Sequence, residues 1–118
     1  MKKILIVDDL KTNRLLLSMM ILKNICSNFT IIEAENGEEA VKLCESDEYE
    51  LILMDLRMPI MEGDEAACLI KADKPNQKII AFSANIDDTY NTKVFDDYLS
   101  KPFMFDDMLN MFNKHIKY

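Results

Sequence analysis

Four stretches of this 118-residue chain are almost wholly apolar on consecutive positions: Ile4-Leu5-Ile6-Val7, Phe29-Thr30-Ile31-Ile32, Leu51-Ile52-Leu53-Met54 and Ile79-Ile80-Ala81-Phe82. A strand wetted on one face alternates apolar with polar residues, so continuous apolar character means that both faces are covered. Each run is read as a strand of a parallel sheet. Between the runs lie segments with helical spacing: Leu15, Met19, Leu22 and Cys26; Ala40, Val41 and Cys44; Ala66, Leu69 and Ile70; and a final stripe of Phe105, Met108, Leu109, Phe112 and Ile116. A fifth short strand is expected over Tyr98-Leu99-Ser100. The order is βα repeated five times, and right-handed crossovers then place helices on both faces of one sheet. Ile86, Tyr90 and Val94 share a face between strands four and five, but that segment is polar and a weak helix former. Gly37 and Gly63 suit turns before the second and third helices, with positive φ open to either.

Charge narrows the function. Fourteen basic against twenty-one acidic side chains give a net charge of −7. A nucleic-acid binder needs a basic face for phosphates, and an anionic membrane surface attracts basic segments, so neither partner is expected. Cys26, Cys44 and Cys68 are odd in number and widely spaced, which points to free thiols in a reducing cytosol. The apolar start meets Asp8-Asp9 too soon for a signal peptide, and the Leu15–Leu22 stretch is too short to span a bilayer. The chain is read as a single intracellular domain over residues 1–118.

In an open parallel sheet, ligands bind beyond the carboxyl ends of the strands. Strand one ends in Asp8-Asp9, strand three in Asp55, strand four in Ser83-Ala84 and strand five in Lys101-Pro102. Three carboxylates crowded together repel one another, and a hard divalent cation such as Mg²⁺ relieves the repulsion while keeping positions free for a phosphoryl oxygen. Lys101 offers a second positive charge, and Ser83 a hydroxyl donor. This set suits covalent phosphorylation of an aspartate. Singly, each residue has a plainer reading: a helix cap for Asp8-Asp9, a local hydrogen bond for Ser83, a solvated lysine for Lys101, turns for Pro59 and Pro102. Their joint occurrence at successive strand ends favours function.

These residues resemble those of a bacterial two-component response-regulator receiver domain. The resemblance covers essentially the whole chain. It rests on Val7-Asp8-Asp9, on Met54-Asp55-Leu56-Arg57-Met58-Pro59-Ile60-Met61-Glu62-Gly63, on Ala81-Phe82-Ser83-Ala84-Asn85 and on Asp97-Tyr98-Leu99-Ser100-Lys101-Pro102-Phe103. It implies a flavodoxin-like, doubly wound (βα)5 fold with a five-stranded parallel sheet. It implies Asp55 as phosphoryl acceptor. Asp8, Asp9, Asp55 and the backbone carbonyl of Arg57 would hold Mg²⁺ or Mn²⁺. Lys101 would pair with the phosphoryl group, and Ser83 and Tyr98 would form the switch. Pro59, Gly63, Ala84 and Pro102 would support the site, with Pro102 at the family's cis-proline position. The donor would be a histidine kinase or a histidine phosphotransfer protein, and the output partner is unspecified. The chain would be cytoplasmic, and its catalysis would be confined to its own phosphorylation and dephosphorylation.

The sequence departs from the family in places. Ser83 to Lys101 spans 18 residues, about one helical turn fewer than usual, and Val94-Phe95 stand near the place of a customary glycine. A shortened fourth helix is therefore expected. Arg57 lies two residues beyond Asp55, near the attack path.

A metal-dependent phosphatase with a nucleophilic aspartate would need an acid at position 57. A flavin or nucleotide module would need a Ser/Thr/Gly-rich loop where Asp8-Asp9-Leu10 stands. A pseudo-receiver, which binds partners without phosphorylation, usually lacks a key acid or the lysine, and all are present here. His115 is read as a helix-terminal cation, and Asp87-Asp88, Asp96-Asp97 and Asp106-Asp107 as a solvated loop and two helix starts.

Overall fold

The computed structural model of the chain describes residues 2–84, 92–101 and 104–116. Five strands form one parallel sheet: β1 (Lys3–Val7), β2 (Thr30–Ala34), β3 (Leu51–Asp55), β4 (Ile79–Ser83) and β5 (Asp97–Ser100). Their order across the sheet is β2-β1-β3-β4-β5. Four α-helices are described: α1 (Lys11–Asn24), α2 (Gly37–Ser46), α3 (Gly63–Asp73) and α4 (Phe105–His115). Between β4 and β5 the described residues contain one 3₁₀ turn, Thr92–Val94. The expected shortened helix there falls largely on residues 85–91, outside the described residues, as does Pro102.

Alternate strand residues feed two cores, as the apolar runs require. Leu5, Val7, Ile52, Met54, Ile79 and Ala81 pack with Ala40 and Cys44 of α2 and with Ala66, Ala67 and Ile70 of α3. Ile4, Ile6, Leu51, Leu53, Ile80 and Phe82 pack with Leu17 and Ile21 of α1 and with Met108, Met111 and Phe112 of α4. Helices thus cover both faces, which is the doubly wound arrangement. Each fully buried Leu or Ile contributes roughly 1.5–3 kcal/mol against exposure.

Two helix faces differ from the spacing expected. In α1 the core takes Leu17 and Ile21, while Leu15 and Met19 point outward and are exposed. In α3 the buried residues include Ala66, Ala67 and Ile70, and Leu69 is exposed. The glycines also differ: neither has positive φ, and the one described non-glycine residue that does is Ile60, at 71°. What Gly37 and Gly63 supply is room. A Cβ on Gly63 would stand 2.1 Å from the Asp55 carbonyl oxygen, and one on Gly37 would stand 2.7 Å from that of Met61.

The helix ends follow local chemistry. Asn36 caps α2 by accepting from the Glu39 N–H at 2.8 Å. The Asp107 carboxylate accepts from the Met104 N–H at 2.9 Å before α4, so Asp106-Asp107 is a helix start as expected. Asp96-Asp97 is not: Asp97 opens β5, and both acids are ion-paired. His115 does close a helix, but its Nε2 lies 2.8 Å from Asp97 Oδ2 and its ring is largely buried.

Candidate functional site

Strand register builds the site. Val7 of β1 pairs with Met54 of β3, so the next residue of each strand, Asp8 and Asp55, emerges side by side. Ser83 pairs with Ser100, and the Lys101 N–H donates to the Ser83 carbonyl at 2.9 Å, which brings Lys101 to the same edge. Asp8, Asp9 and Asp55 each place a carboxylate oxygen within 4.8 Å of the others. Lys101 Nζ sits 3.5 Å from Asp55 Oδ2 and 3.6 Å from Asp8 Oδ2, above the Phe82 ring at 4.7 Å.

Burial differs sharply among the acids. Asp8 is fully buried and Asp55 nearly so, whereas Asp9 is exposed. Burial pushes the Asp55 carboxyl up to about 6; Lys101 draws it down, Asp8 pushes it further up, and the Arg57 N–H draws it down. Asp8 and Asp55 thus share one ammonium, with the Asp9 carboxylate beside them. The donor set is all hard oxygen, and burial, with the Asp8 charge added to it, already raises the affinity of Asp55 for a proton. That chemistry fits a hard divalent cation.

The remaining expected residues are placed as follows. Ser83 ends β4 and is buried, and Ala84 beside it is exposed. Arg57 and Pro59 are exposed in the β3–α3 loop, alternating with the buried Leu56 and Met58. The Gly63 N–H donates to the Leu56 carbonyl at 2.7 Å and draws that loop tight beneath Asp55. Tyr98 is 40% exposed, so it is not a core tyrosine; its ring meets Phe95 edge-on at 6.3 Å. It lines a groove of about 460 Å³ between β5 and α4, with Met111 and Lys114.

Two residues that the sequence reading passed over also reach the site. Asn13 Nδ2 donates to Asp8 Oδ2 at 3.1 Å. Arg14 Nη1 donates to the Asp8 carbonyl at 2.6 Å, and its Nε meets Glu33 Oε1 at 2.9 Å. The signal for them was positional: polar donors one helical turn beyond an acid that ends a strand can fold back onto it.

Comparison with known proteins agrees with this geometry. The family model described as "Response regulator receiver domain" matches residues 4–113. The chain is 35% identical over 120 residues to hybrid signal transduction histidine kinase G of Dictyostelium discoideum, covering 96% of this chain and 4% of that protein. It is 38% identical over 105 residues to the transcriptional regulatory protein SrrA of Staphylococcus aureus, covering 86% of this chain and 42% of that protein. The chain therefore spans less than half the length of these curated relatives. Among solved structures, response regulator TrrA of Thermotoga maritima, in complex with Mg²⁺ and BeF, superposes with a TM-score of 0.86 at 35% identity, covering 98% of this chain and 100% of that one. The receiver domain of sensor histidine kinase PA1611 of Pseudomonas aeruginosa, with magnesium in its active-site cleft, gives 0.87 at 28% identity, covering 97% and 96%. Among the described residues of this chain, no helix is long and apolar enough to cross a membrane. With the family model covering most of its length and the same fold in its relatives, this chain belongs to the response regulator receiver domain family.

Proposed function

We propose that this chain accepts a phosphoryl group on Asp55 from the phosphohistidine of a histidine kinase or histidine phosphotransfer protein, and that it switches conformation as a result. The observation that carries this reading is the convergence of Asp8, Asp9 and Asp55, with Lys101 3.5 Å from Asp55. An Asp55 carboxylate oxygen attacks phosphorus in line, the P–N bond breaks, and the donor imidazole leaves. Asp8, Asp9, Asp55 and the Arg57 carbonyl would hold Mg²⁺, with Mn²⁺ as a substitute of the same preference for oxygen. Bound there, the cation supplies charge neutralisation for the transferring group. Lys101 neutralises the phosphoryl oxygens from the other side, and Ser83, at the end of β4, donates its hydroxyl to one of them. Ala84 leaves the approach open, and Pro59 and Gly63 shape the loop under Asp55. The half-exposed Tyr98 couples Ser83 to the groove beside α4, the surface a partner would read.

Catalysis is confined to the domain's own phosphorylation and later hydrolysis. The three free cysteines suit a reducing compartment and support a cytoplasmic location. TrrA, a relative at 34% identity, has been solved in complex with histidine kinase ThkA, which supports a kinase as donor. The test is intact mass after incubation with acetyl phosphate and Mg²⁺. One phosphoryl-sized gain, lost in Asp55→Asn and with EDTA, is expected. No gain, together with no binding of beryllofluoride, would make the chain a pseudo-receiver.

A further inference from the structure

Asp8 has no solvent contact, so its carboxylate oxygens take their partners from within the protein. Its Oδ1 accepts the Leu10 N–H at 2.9 Å. Its Oδ2 faces two donors, Asn13 Nδ2 at 3.1 Å and Lys101 Nζ at 3.6 Å. Its backbone is held as well: the N–H donates to the Ala34 carbonyl at 3.1 Å, and the carbonyl accepts from Arg14 at 2.6 Å. Arg14 is in turn fixed by Glu33 on β2, and its side chain is only 11% exposed. The first turn of α1 and the neighbouring strand thus clamp one acid at both its backbone and its carboxylate.

We propose that Asn13 and Arg14 are positioning residues for the cation site, acting through Asp8. Arg14 fixes where the end of β1 stands. Asn13 fixes the carboxylate plane and takes part of Oδ2, which leaves Lys101 midway between Asp8 and Asp55. Without the Asn13 amide, Lys101 is the one remaining side-chain donor near Oδ2 among the contacts described. The ammonium is then drawn toward Asp8, where it opposes a cation. Arg14 needs two separated donors to reach the Asp8 carbonyl and Glu33 together, a geometry that a guanidinium has and an ammonium lacks. The proposal rests on the functional reading above, because it presupposes that these acids hold a cation.

The experiment is a titration of the full chain with MgCl₂ alone, followed by amide chemical shifts, beside thermal melting in EDTA. Partners behind a metal ligand typically change affinity 10–100-fold when removed. Asn13→Ala is expected to weaken Mg²⁺ binding about tenfold, with the EDTA melting temperature near that of the wild type. Asn13→Leu, of similar size but with no donor and no charge, is expected to lose as much. Arg14→Lys is expected to weaken binding severalfold. If Asn13→Ala does not fold, Asn13→Leu decides. Mg²⁺ affinities within twofold of the wild type in the folded variants would overturn the proposal, and a fall in melting temperature alone would reduce Asn13 to a structural role. A wild-type chain that shows no Mg²⁺-dependent shifts would overturn the functional reading, and this inference with it.

Discussion

The two ends of the sheet treat the same residue type in opposite ways. At the amino edge, aspartates are closely matched to cations. Asp47 lies 2.7 Å from Lys3, and Asp96 lies 2.7 Å from Lys71. The Lys3 hydrogen bond holds the Asp47 carboxyl below its usual range. For Asp96 and Asp97, burial pushes upward but the surrounding donors win and hold both down: Lys71 and the Ile79 N–H for Asp96, His115, the Tyr98 N–H and Lys114 for Asp97. At the carboxyl edge, Asp8 and Asp55 share Lys101 with Asp9 close by, and burial pushes Asp55 up to about 6. One end uses carboxylates to hold elements together. The other keeps them under-neutralised, which costs stability and leaves an affinity to be satisfied by a cation.

The largest effect is expected from the backbone beneath the acids. In Gly63→Ala the new methyl would meet the Asp55 carbonyl oxygen at 2.1 Å, and a backbone atom cannot swing away. We expect a loss of about 3 kcal/mol in urea unfolding, together with weakened Mg²⁺ binding. A variant as stable as the wild type would show that the carboxyl edge is not tightly built.

Next comes Asp55→Asn, with the opposite sign. The folded pKa of Asp55 is raised above its unfolded value of 3.8, so the folded state binds the proton more tightly, and ionisation above pH 4 to 6 costs stability. Removing the charge should stabilise the Mg²⁺-free protein by about 2 kcal/mol at pH 7. The gain should shrink as pH falls through 6 and vanish below 3.8, where both states are protonated. Urea melts at pH 7 and pH 4 check this. A destabilised Asp55→Asn at pH 7 would erase the contrast between the two edges.

Asp96 tests the other edge. Its Oδ2 accepts both Lys71 Nζ and the Ile79 N–H, at 2.7 and 2.8 Å. Its folded pKa is lowered, so its contribution is present above the unfolded pKa and is lost as pH falls through the folded one. Asp96→Asn should cost roughly 1.5 kcal/mol at pH 7 and less in acid. A cost independent of pH would mean that shape, not charge, matters there.

The contrast was only half legible in the sequence. Continuous apolar runs named the strands, and the residues ending them named the acids, Ser83 and Lys101, because a parallel sheet delivers successive strand ends to one edge. The amino-edge pairs were not legible. Lys71 meets Asp96, and His115 meets Asp97, across gaps set by three-dimensional packing. The expected stripe beginning in α1 was half right, since Leu22 and Cys26 pack against the core; Leu15 to Leu22 is apolar at every position but Ser18, so spacing could not select Leu17 and Ile21 over Leu15 and Met19. The glycines were expected to serve through φ, but their neighbours are carbonyl oxygens, and absence of bulk is what they supply.

The smallest effect concerns Ile60, which took the positive φ that the glycines did not. The Met61 N–H donates to the Pro59 carbonyl at 2.7 Å with Ile60 between them at φ 71°. That is a γ-turn of the positive-φ kind, rare and strained. The turn aims the Met61 carbonyl at the Gly37 N–H, 3.3 Å away, and so ties the loop after Asp55 to the start of α2. A β-branched residue there costs about 1–3 kcal/mol, and nothing in its packing repays this, since the side chain is 76% exposed. Ile60→Gly removes the Cβ clash but adds freedom to the unfolded chain worth roughly 0.5–1 kcal/mol, so a net gain of about 1 kcal/mol is expected. Ile60→Ala keeps the Cβ and should leave stability unchanged, which separates strain from the loss of an exposed apolar side chain. If Gly and Ala behave alike in urea unfolding, the turn is unstrained. The carboxyl edge would then owe its lower stability to its carboxylates alone.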